Sequence, residues 1–507
     1  MKISLLRIST SLAALAEVKA FSSTCTHRIH HANAPIIHCV SQVPSWSKRS
    51  SSAMDHRMQA PLKVAIAQDI PDRLPPELVE EQENKISLSS ASFNLVKTLV
   101  GAGVLSFPAG VAAFADVPRA LVPATAILCI LGLLSAYSFY SIGRTCGEEN
   151  VASLGEAWKV TVSEQSSWLV DLACFVTPLG TAASFSIMLG DLFSSIFRTF
   201  GVSGLLASRH ASILLVTFSA LYPLCSLKSL AALTPASILG VFCSIITCVF
   251  LGFRFFGGAY VPGGFLYSSV APSLQPSFGI KGMNMLSPSC LILFSMAATG
   301  YMCHFAAPDF YHSLENNSPK RFKKLIANGF GATALLSVFF TFFGFLTFGG
   351  ASSGMILNNY STRDFGAVVC RLLTAGTLIC GYPLILSGAR SALFAMTKNG
   401  ANVTESLRLN ATKLLLSAVT CIALVLENSG FVVSLNGAIS GSAIIYIFPS
   451  VMFLQSTKSR LSSGVLKMSR SLRAERLLNK FMIGLGAVLG LLGASVSVLE
   501  SFFPGIL

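Results

Sequence analysis

Charged residues are scarce in this chain of 507 residues: Asp, Glu, Lys and Arg make up only 11%, while 52% of the residues are hydrophobic. The mean hydropathy of +0.67 excludes a soluble domain of this size. Acidic residues are fewer than basic residues. In a soluble protein, the resulting net charge of +14 would suggest a nucleic-acid partner. Here the basic residues fall mainly in short loops between apolar runs, so the composition predicts a polytopic membrane protein without a nucleic-acid partner.

Metal-binding and catalytic patterns are also lacking. The thirteen cysteines are scattered, most of them in apolar runs, and they show no CxxC or Cys/His metal spacing. We interpret them as small buried hydrophobic residues. No HExxH or P-loop sequence supports an integral-membrane enzyme. We therefore expect no catalytic residues, no metal and no cofactor.

The N-terminal part differs from the rest. Residues 1–58 are basic and rich in Ser and His, which predicts a targeting segment or a disordered tail, with plastid or mitochondrial import as an alternative. Residues 59–88 are acidic and contain prolines, which predicts a solvated cytosolic tail. Residues 89–507 form the predicted transmembrane domain.

About eleven apolar runs in that domain approach the length needed to cross a bilayer. The predicted spans are residues 89–115, 120–142, 168–197, 212–227, 231–256, 289–307, 325–348, 365–394, 414–426, 431–454 and 481–503. Loops on one side carry most of the basic residues, so we predict a cytosolic N-terminus and a C-terminus on the other side. The sequon at Asn359 then lies on the non-cytosolic side, where glycosylation is expected if the chain passes through the endoplasmic reticulum.

The first span, SFNLVKTLVGAGVLSFPAG (residues 92–110), contains Lys97, a Gly-Ala-Gly sequence and Pro108, which a lipid-facing helix would avoid. A helix that unwinds within the bilayer is tolerated only where protein or a water-filled cavity satisfies its backbone. The sixth span shows the same anomaly at Thr299-Gly300, with Pro308 beyond it. Interrupted helices at matching positions of two repeats point to a substrate site at the membrane midplane.

We therefore predict substrate binding at the opened backbone and nearby side chains. Opened half-helices offer N–H groups to a carboxylate and carbonyl groups to a cation. The alternative is close helix packing, for which small residues are also typical. The predicted binding residues are Gly101, Ala102, Gly103, Thr299 and Gly300, with Tyr301, Thr181 and Ser184 lining the pocket.

The chain resembles the amino acid/auxin permease family over about residues 89–503. The resemblance rests on the first-span sequence, on CHFAAPDFYHSLENNSPKRFKKLIAN after the sixth-span break, and on FLTFGG, YPLILSGARSAL and FVVSLNGAISGSAIIYIFPS. It implies an all-α membrane fold similar to the leucine transporter, with two inverted repeats of five helices and broken helices 1 and 6. It also implies secondary transport of amino acids, most readily neutral ones.

One departure from the sodium-coupled branch concerns the coupling ion. Where that branch typically has an asparagine that helps to hold sodium, this chain has Lys97, as the proton-coupled branch tends to have. The hydroxyl groups expected before Pro383 are replaced by Ile379 and Gly381, although Thr377 lies one turn earlier. We predict sodium-independent, proton-coupled or facilitative transport, with Lys97 as the coupling residue; the alternative for Lys97 is snorkelling to the interface.

A second candidate for proton coupling is His304, which follows the sixth-span break, although a lone membrane histidine is more often a packed, hydrogen-bonded residue. Asp191 is expected to pair with a cation or line the pathway, whereas Asp171 is expected at the interface. Arg371 and Arg390, near the ends of the eighth span, are expected to act in topology or ion pairs.

The leading hypothesis is thus a symporter of amino acids in the lipid bilayer, and the alternative is an amino acid sensor on the same fold without appreciable flux. The sequence favours a plasma, vacuolar or other endomembrane location, with an organelle envelope as the alternative. It identifies no protein partner.

Overall fold

The computed structural model describes residues 85–227, 234–397 and 404–503. The predicted targeting segment and nearly all of the predicted acidic tail lie outside the described residues, so those two predictions stay untested. Described residues just before the first helix contact the end of the sixth: Lys85 Nζ donates to the His312 carbonyl at 3.0 Å, and Ile86 bridges to Leu314.

The membrane helices are numbered in chain order, and the first and sixth each have two halves. The first five are α1a (Leu88–Leu99), α1b (Ala102–Phe114), α2 (Leu121–Glu149), α3 (Ser167–Thr199), α4 (residues 209–225) and α5 (Thr234–Phe256). The next six are α6a (Cys290–Gly300), α6b (Ala307–Ser313), α7 (Pro319–Phe348), α8 (Phe365–Met396), α9 (Glu405–Val425), α10 (Ser429–Ser462) and α11 (Arg470–Phe502). A short helix, Leu154–Thr161, connects α2 to α3.

Among the described residues, nine helices are long and apolar enough to cross a membrane, and the bent pair α1a and α1b makes a tenth. The predicted fourth span is present as α4, but it consists of consecutive helical segments of 8, 5 and 4 residues. It therefore falls just short of the 18 residues of a full span. The prediction of about eleven helices agrees with this architecture.

Several helices begin earlier than hydropathy predicts. α7 begins at Pro319 instead of residue 325, α9 at Glu405 instead of 414, and α11 at Arg470 instead of 481. The added turns contain Lys and Arg, whose long side chains let a helix continue beyond the hydrocarbon while the charged ends reach water or polar groups. Apolar runs mark the hydrocarbon region, and the helices extend past it.

Two helices form the centre of the bundle. In both α6 and α10, 72% of the most apolar stretch is buried within the protein, against 33% in α11. α6a packs against α1b on one side and against α10 on the other. The end of the bundle that carries Lys320, Arg321, Lys323 and Lys324 is called the basic side, and the other end the opposite side.

On the opposite side, one carboxylate ties the end of α1b to the loop that leads into α6a. Asp116 is buried, and its oxygens accept hydrogen bonds from the backbone N–H groups of Ile280 (2.6 Å), Lys281 (2.7 Å) and Gly282 (2.7 Å). Burial alone would raise the pKa of Asp116, but these three N–H groups outweigh it and hold the pKa below its ordinary value. The two broken helices are thus joined where they leave the membrane.

The sequon residue Asn359 lies in the loop between α7 and α8 and is fully buried. Its Nδ2 donates to the carbonyls of Ala351 (2.8 Å) and Leu274 (3.3 Å), while its Oδ1 accepts from the Ser353 N–H at 2.9 Å. The expectation of a glycan at this position is therefore wrong for the folded chain, because the amide has no room for a sugar and already uses its hydrogen-bonding groups.

Candidate functional site

The first broken helix has the interruption that the Gly-Ala-Gly sequence predicts. α1a and α1b meet at an angle of 44°. Val100 (φ −81°, ψ 86°) and Gly101 (φ −134°, ψ −144°) are non-helical, and the N–H of Gly101 turns back to the Leu99 carbonyl at 3.0 Å. The backbone groups around the break therefore lack the regular partners of a continuous helix.

The sixth helix breaks slightly later than predicted. α6a continues through Thr299 and ends at Gly300, and the irregular residues are Tyr301 to Cys303. A single 3₁₀ turn, His304–Ala306, then leads into α6b. The prediction of two broken helices at matching positions is confirmed, with the second break displaced toward the basic side.

The two breaks touch through glycine. A Cβ atom added to Gly103 would lie 2.6 Å from the Gly300 Cα and 2.8 Å from the Gly300 nitrogen, so α1b and α6a meet backbone to backbone. A Cβ added to Gly300 would enter the ring of Phe107. In this conformation Gly103 and Gly300 allow close helix packing, which is the alternative to substrate binding. Their predicted contact with substrate stays a prediction.

The predicted lining residues also contact other helices. Thr299 Oγ1 donates to the Val433 carbonyl of α10 at 2.6 Å. Thr181 Oγ1 donates to the Thr177 carbonyl (3.0 Å) and lies 3.3 Å from Asn436 Nδ2 of α10, and Ser184 Oγ donates to the Gly180 carbonyl at 3.0 Å. The hydroxyls of Thr299 and Thr181 thus connect α6a and α3 to α10, whereas the Ser184 bond stays within α3.

Tyr301 is fully buried, with its ring centroid 6.3 Å from that of Phe107. A Cβ on Gly132 of α2 would lie 3.2 Å from its Cζ. Ala102 is the first residue of α1b. The structure thus brings the predicted residues to the centre of the bundle but does not place them together around open space.

Open space lies nearer the basic side. A cavity of about 570 Å³, the basic-side vestibule, is enclosed by α1a, α3, α6b, α8 and the helix between α2 and α3. Its lining includes Lys97, Phe185 and Gly381 close to the first break, together with Asp171 and Asp309. Asp171, expected at the interface, lines this vestibule, and Asp309 was not singled out from the sequence.

Lys97 runs through a slot made by two glycines. A Cβ on Gly240 of α5 would lie 2.6 Å from its Cε, and a Cβ on Gly381 of α8 would lie 3.3 Å from its Nζ. The ammonium donates to the Thr377 carbonyl of α8 at 3.4 Å, and only 8% of the residue surface is exposed. Within the described part of the chain no carboxylate forms an ion pair with it. The alternative of snorkelling does not describe this side chain, which points to α8.

Next to this slot, the far face of Gly101 borders a cavity of about 20 Å³ between α1, α5, α7 and α8. That volume holds about one water molecule. Four of its lining residues carry hydroxyl groups, and the Thr377 Oγ1 has no protein hydrogen-bond partner among the described groups. The lining hydroxyls are those of Ser244, Thr247, Thr374 and Thr377.

His304 lies between α2 and α6, not on a vestibule wall. Its Nε2 lies 2.7 Å from Ser138 Oγ and 2.9 Å from the Ser135 carbonyl, and its ring meets Phe139 edge-on. Because a carbonyl only accepts, this geometry assigns the hydrogen to Nε2. His304 is thus buried and hydrogen-bonded, and its predicted coupling role is untested.

A second cavity of about 440 Å³, the opposite-side vestibule, extends inward from the other end to Met296 and Ser434. Asp191 pairs with Arg209 at 3.1 Å, as expected, and lines this cavity, while its predicted place on the transport pathway is untested. The contact between Gly103 and Gly300 lies between the two vestibules. The basic-side vestibule therefore extends to Lys97 and Phe185 beside the first break, and the opposite-side vestibule does not.

Arg371 and Arg390 donate to backbone carbonyls and a hydroxyl group, and neither forms an ion pair within the described residues. Arg371, which is 1% exposed, donates to the carbonyls of Leu357 and Tyr360 in the loop before α8. Arg390 donates to the Cys225 carbonyl at 3.4 Å and to Thr412 Oγ1 of α9 at 2.8 Å. The expected ion pairs are thus not found among the described groups, and the expected role in topology is untested.

The backbone defines a class of protein. A crystal structure of MhsT in complex with L-phenylalanine superimposes with a TM-score of 0.50 and 13% sequence identity, covering 80% of this chain and 98% of MhsT. The chain therefore has the leucine-transporter-like fold with broken helices 1 and 6, as the resemblance implied.

The family follows from the sequence match. The family model described as transmembrane amino acid transporter protein matches residues 84–499, and the chain belongs to that family. A relative from Danio rerio, named "Putative sodium-coupled neutral amino acid transporter 11", is 24% identical over 381 residues, which cover 75% of this chain and 81% of the relative. "Amino acid transporter AVT6E" of Arabidopsis thaliana is 25% identical over 403 residues, covering 75% and 78%.

Proposed function

We propose that this protein is a secondary transporter, not an enzyme, which moves neutral amino acids by alternating access, without sodium and together with protons. Two vestibules that approach the helix breaks from opposite ends, separated by the contact of Gly103 with Gly300, support alternating access. The backbone groups around Gly101, which lack the regular partners of a continuous helix, are the proposed site for the amino and carboxylate groups of the substrate.

The position of Lys97 is the observation that carries the choice of coupling ion. Its ammonium lies between α1a and α8 on the Thr377 carbonyl, and Gly240 and Gly381 leave room for it. A sodium ion about 4 Å from this charge would be repelled by about 4 kcal/mol at an effective dielectric constant of about 20. Some relatives are named sodium-coupled, and the lysine is the reason for proposing a different ion here.

The proton enters the proposal through the same side chain. Lys97 is 8% exposed, its ammonium donates to the neutral Thr377 carbonyl, and no carboxylate among the described residues forms an ion pair with it. Lys97 also lines the basic-side vestibule, predicted to be cytosolic, which gives the proton a way out. Loss of the proton would weaken the hydrogen bond to the Thr377 carbonyl and loosen α1a from α8.

The test is uptake of a panel of labelled amino acids into proteoliposomes that contain the full chain, with sodium and proton gradients imposed separately. We expect a proton gradient to drive uptake in the absence of sodium. Lys97→Met should reduce the proton-driven uptake at least tenfold and leave exchange of internal for external amino acid measurable. Lys324→Met, which removes an exposed lysine on the basic side, is the matched control and should behave as the wild type.

Two results would contradict the proposal. Uptake driven only by sodium would exclude the proposed coupling ion, and undiminished proton-driven uptake by Lys97→Met would exclude the proposed coupling residue. Saturable amino acid binding without any flux would instead favour the sensor.

A further inference from the structure

A single aromatic ring separates the first break from the basic-side vestibule. Phe185 of α3 is 4% exposed and lines the inner end of that vestibule. A Cβ on Gly101 would lie 3.3 Å from its Cζ and 3.4 Å from its Cε1, and a Cβ on Gly381 would lie 3.7 Å from its Cε2. The ring therefore fills the space between two helices at positions where neither has a side chain.

The neighbours of Phe185 fix where its ring stands. The hydroxyl of Tyr382 lies 2.9 Å from the Ser186 Oγ, which ties α3 to α8 directly beside the ring. The Tyr382 ring meets Phe185 edge-on, with a centroid distance of 6.5 Å. These contacts hold α3 and α8 at a fixed distance. The Phe185 ring can therefore move away from the two glycines mainly by rotating into the basic-side vestibule.

We propose that Phe185 sets the upper size limit for the side chain of the substrate, so that the protein selects small neutral amino acids such as alanine and serine. The inference rests on the proposed function and deepens it by naming the size class. In this proposal the side chain of an amino acid bound at Gly101 occupies the gap between Gly101 and Gly381, where the Phe185 ring is already at van der Waals distance from both Cβ positions.

The positive charge at the same place disfavours cationic substrates. The Cβ position of Gly381, which the ring approaches, is also 3.3 Å from the Lys97 Nζ. A cationic side chain in this gap would meet an ammonium group without a carboxylate partner among the described residues. A large or branched side chain would have to expel the ring from its buried position. Small and uncharged side chains avoid both penalties.

The experiment measures uptake of labelled alanine, leucine and phenylalanine by the full chain in proteoliposomes. The wild type should prefer alanine to leucine at least tenfold. Phe185→Ala should raise the ratio of leucine to alanine uptake at least tenfold, and Phe185→Leu should raise it less. The ratio is measured on one preparation, so a smaller amount of folded variant cancels out.

Phe193→Ala is the matched control, because Phe193 is on the same helix and its ring packs against Phe197 at a centroid distance of 6.0 Å. It should leave the ratio within twofold of the wild type. A second measurement tests the contact itself: Gly101→Ala should lower alanine uptake because its Cβ crowds the ring, and adding Phe185→Leu should restore part of it.

The inference is overturned if Phe185→Ala leaves the ratio within twofold, if Phe193→Ala shifts it equally, or if the wild type takes up leucine as well as alanine. In all three cases uptake itself still supports the transporter. Absence of uptake of every amino acid by the wild type would be the failure of the proposed function, and the size inference would fall with it.

Discussion

The two broken helices share an irregular backbone but differ in what surrounds it. At the first break, Gly101 borders a small polar cavity, and Lys97 and Phe185 lie between this break and the basic-side vestibule. At the second break, Tyr301 and His304 are fully buried and pack against α2. An interrupted helix therefore does not by itself locate a binding site. In this conformation the first break adjoins a small cavity, whereas the second is packed against α2.

Disrupting the contact between Gly103 and Gly300 should have the largest effect on stability and uptake. Gly103→Ala would place a Cβ 2.6 Å from the Gly300 Cα, where backbone meets backbone and no side chain can yield. Overpacking of a core typically costs about 1–3 kcal/mol, and we expect at least this much, together with loss of uptake. The measurement is thermal unfolding of the purified variant followed by uptake.

Gly331→Ala is the control for Gly103→Ala, since a Cβ on this α7 glycine meets no atom within 4 Å. It should be neutral or stabilise the helix by about 0.5–1 kcal/mol. A Gly103→Ala variant as stable and active as Gly331→Ala would show that the two breaks are not in the contact described.

Removing the Asp116 carboxylate, which connects the end of α1b to the loop before α6a, should have an intermediate and pH-dependent effect on stability. Asp116→Asn replaces one acceptor oxygen by an NH₂ group that faces backbone N–H donors, so the unfolding temperature should fall at neutral pH. The pKa of Asp116 is lowered in the folded chain, so its stabilisation is fully present above the ordinary value of 3.8 and is lost as the pH falls below it.

Wild type and Asp116→Asn should therefore unfold at different temperatures at pH 7 and converge at low pH. Lys281→Met is the control in the same loop, because only the backbone N–H of Lys281 binds the carboxylate. A constant difference at all pH values would show that the charge of Asp116 does not hold the loop.

The smallest effect is expected at the second break. His304→Gln keeps a side-chain donor for the Ser135 carbonyl, and we expect uptake to retain the pH dependence of the wild type. The measurement is uptake across a series of external pH values, compared with Lys97→Met. Loss of the pH dependence in His304→Gln would support the sequence-based coupling role of His304 and contradict the distinction between the two breaks.

Much of the fold could be predicted from the sequence because hydrocarbon burial and backbone satisfaction leave few choices. Apolar runs indicated the helices, and glycines with nearby prolines indicated the breaks. The helix ends were less predictable, since charged residues such as Arg408 continue a helix by bonding to polar groups of neighbouring helices; Arg408 Nη2 donates to the Ser226 carbonyl at 2.8 Å.

The site was harder to predict because it depends on which residues meet across helices. Gly103 and Gly300 were chosen as small residues that admit a ligand, and small residues equally admit another backbone. The slot around Lys97 needs Gly240, more than 140 positions away, and hydropathy carries no signal for that pairing. The sequence analysis predicted Ser184 as a pocket residue, and the ring that lines the vestibule belongs to the next residue, Phe185.

The slot of Lys97 also constrains how a lysine can arise at this position during evolution. A Cβ on Gly240 would lie 2.6 Å from the Lys97 Cε, and a Cβ on Gly381 would crowd its Nζ at 3.3 Å. Because neighbouring substitutions of this kind are not additive, the lysine and its two glycines depend on one another. The three positions lie on three different helices, so no single stretch of the sequence carries the constraint.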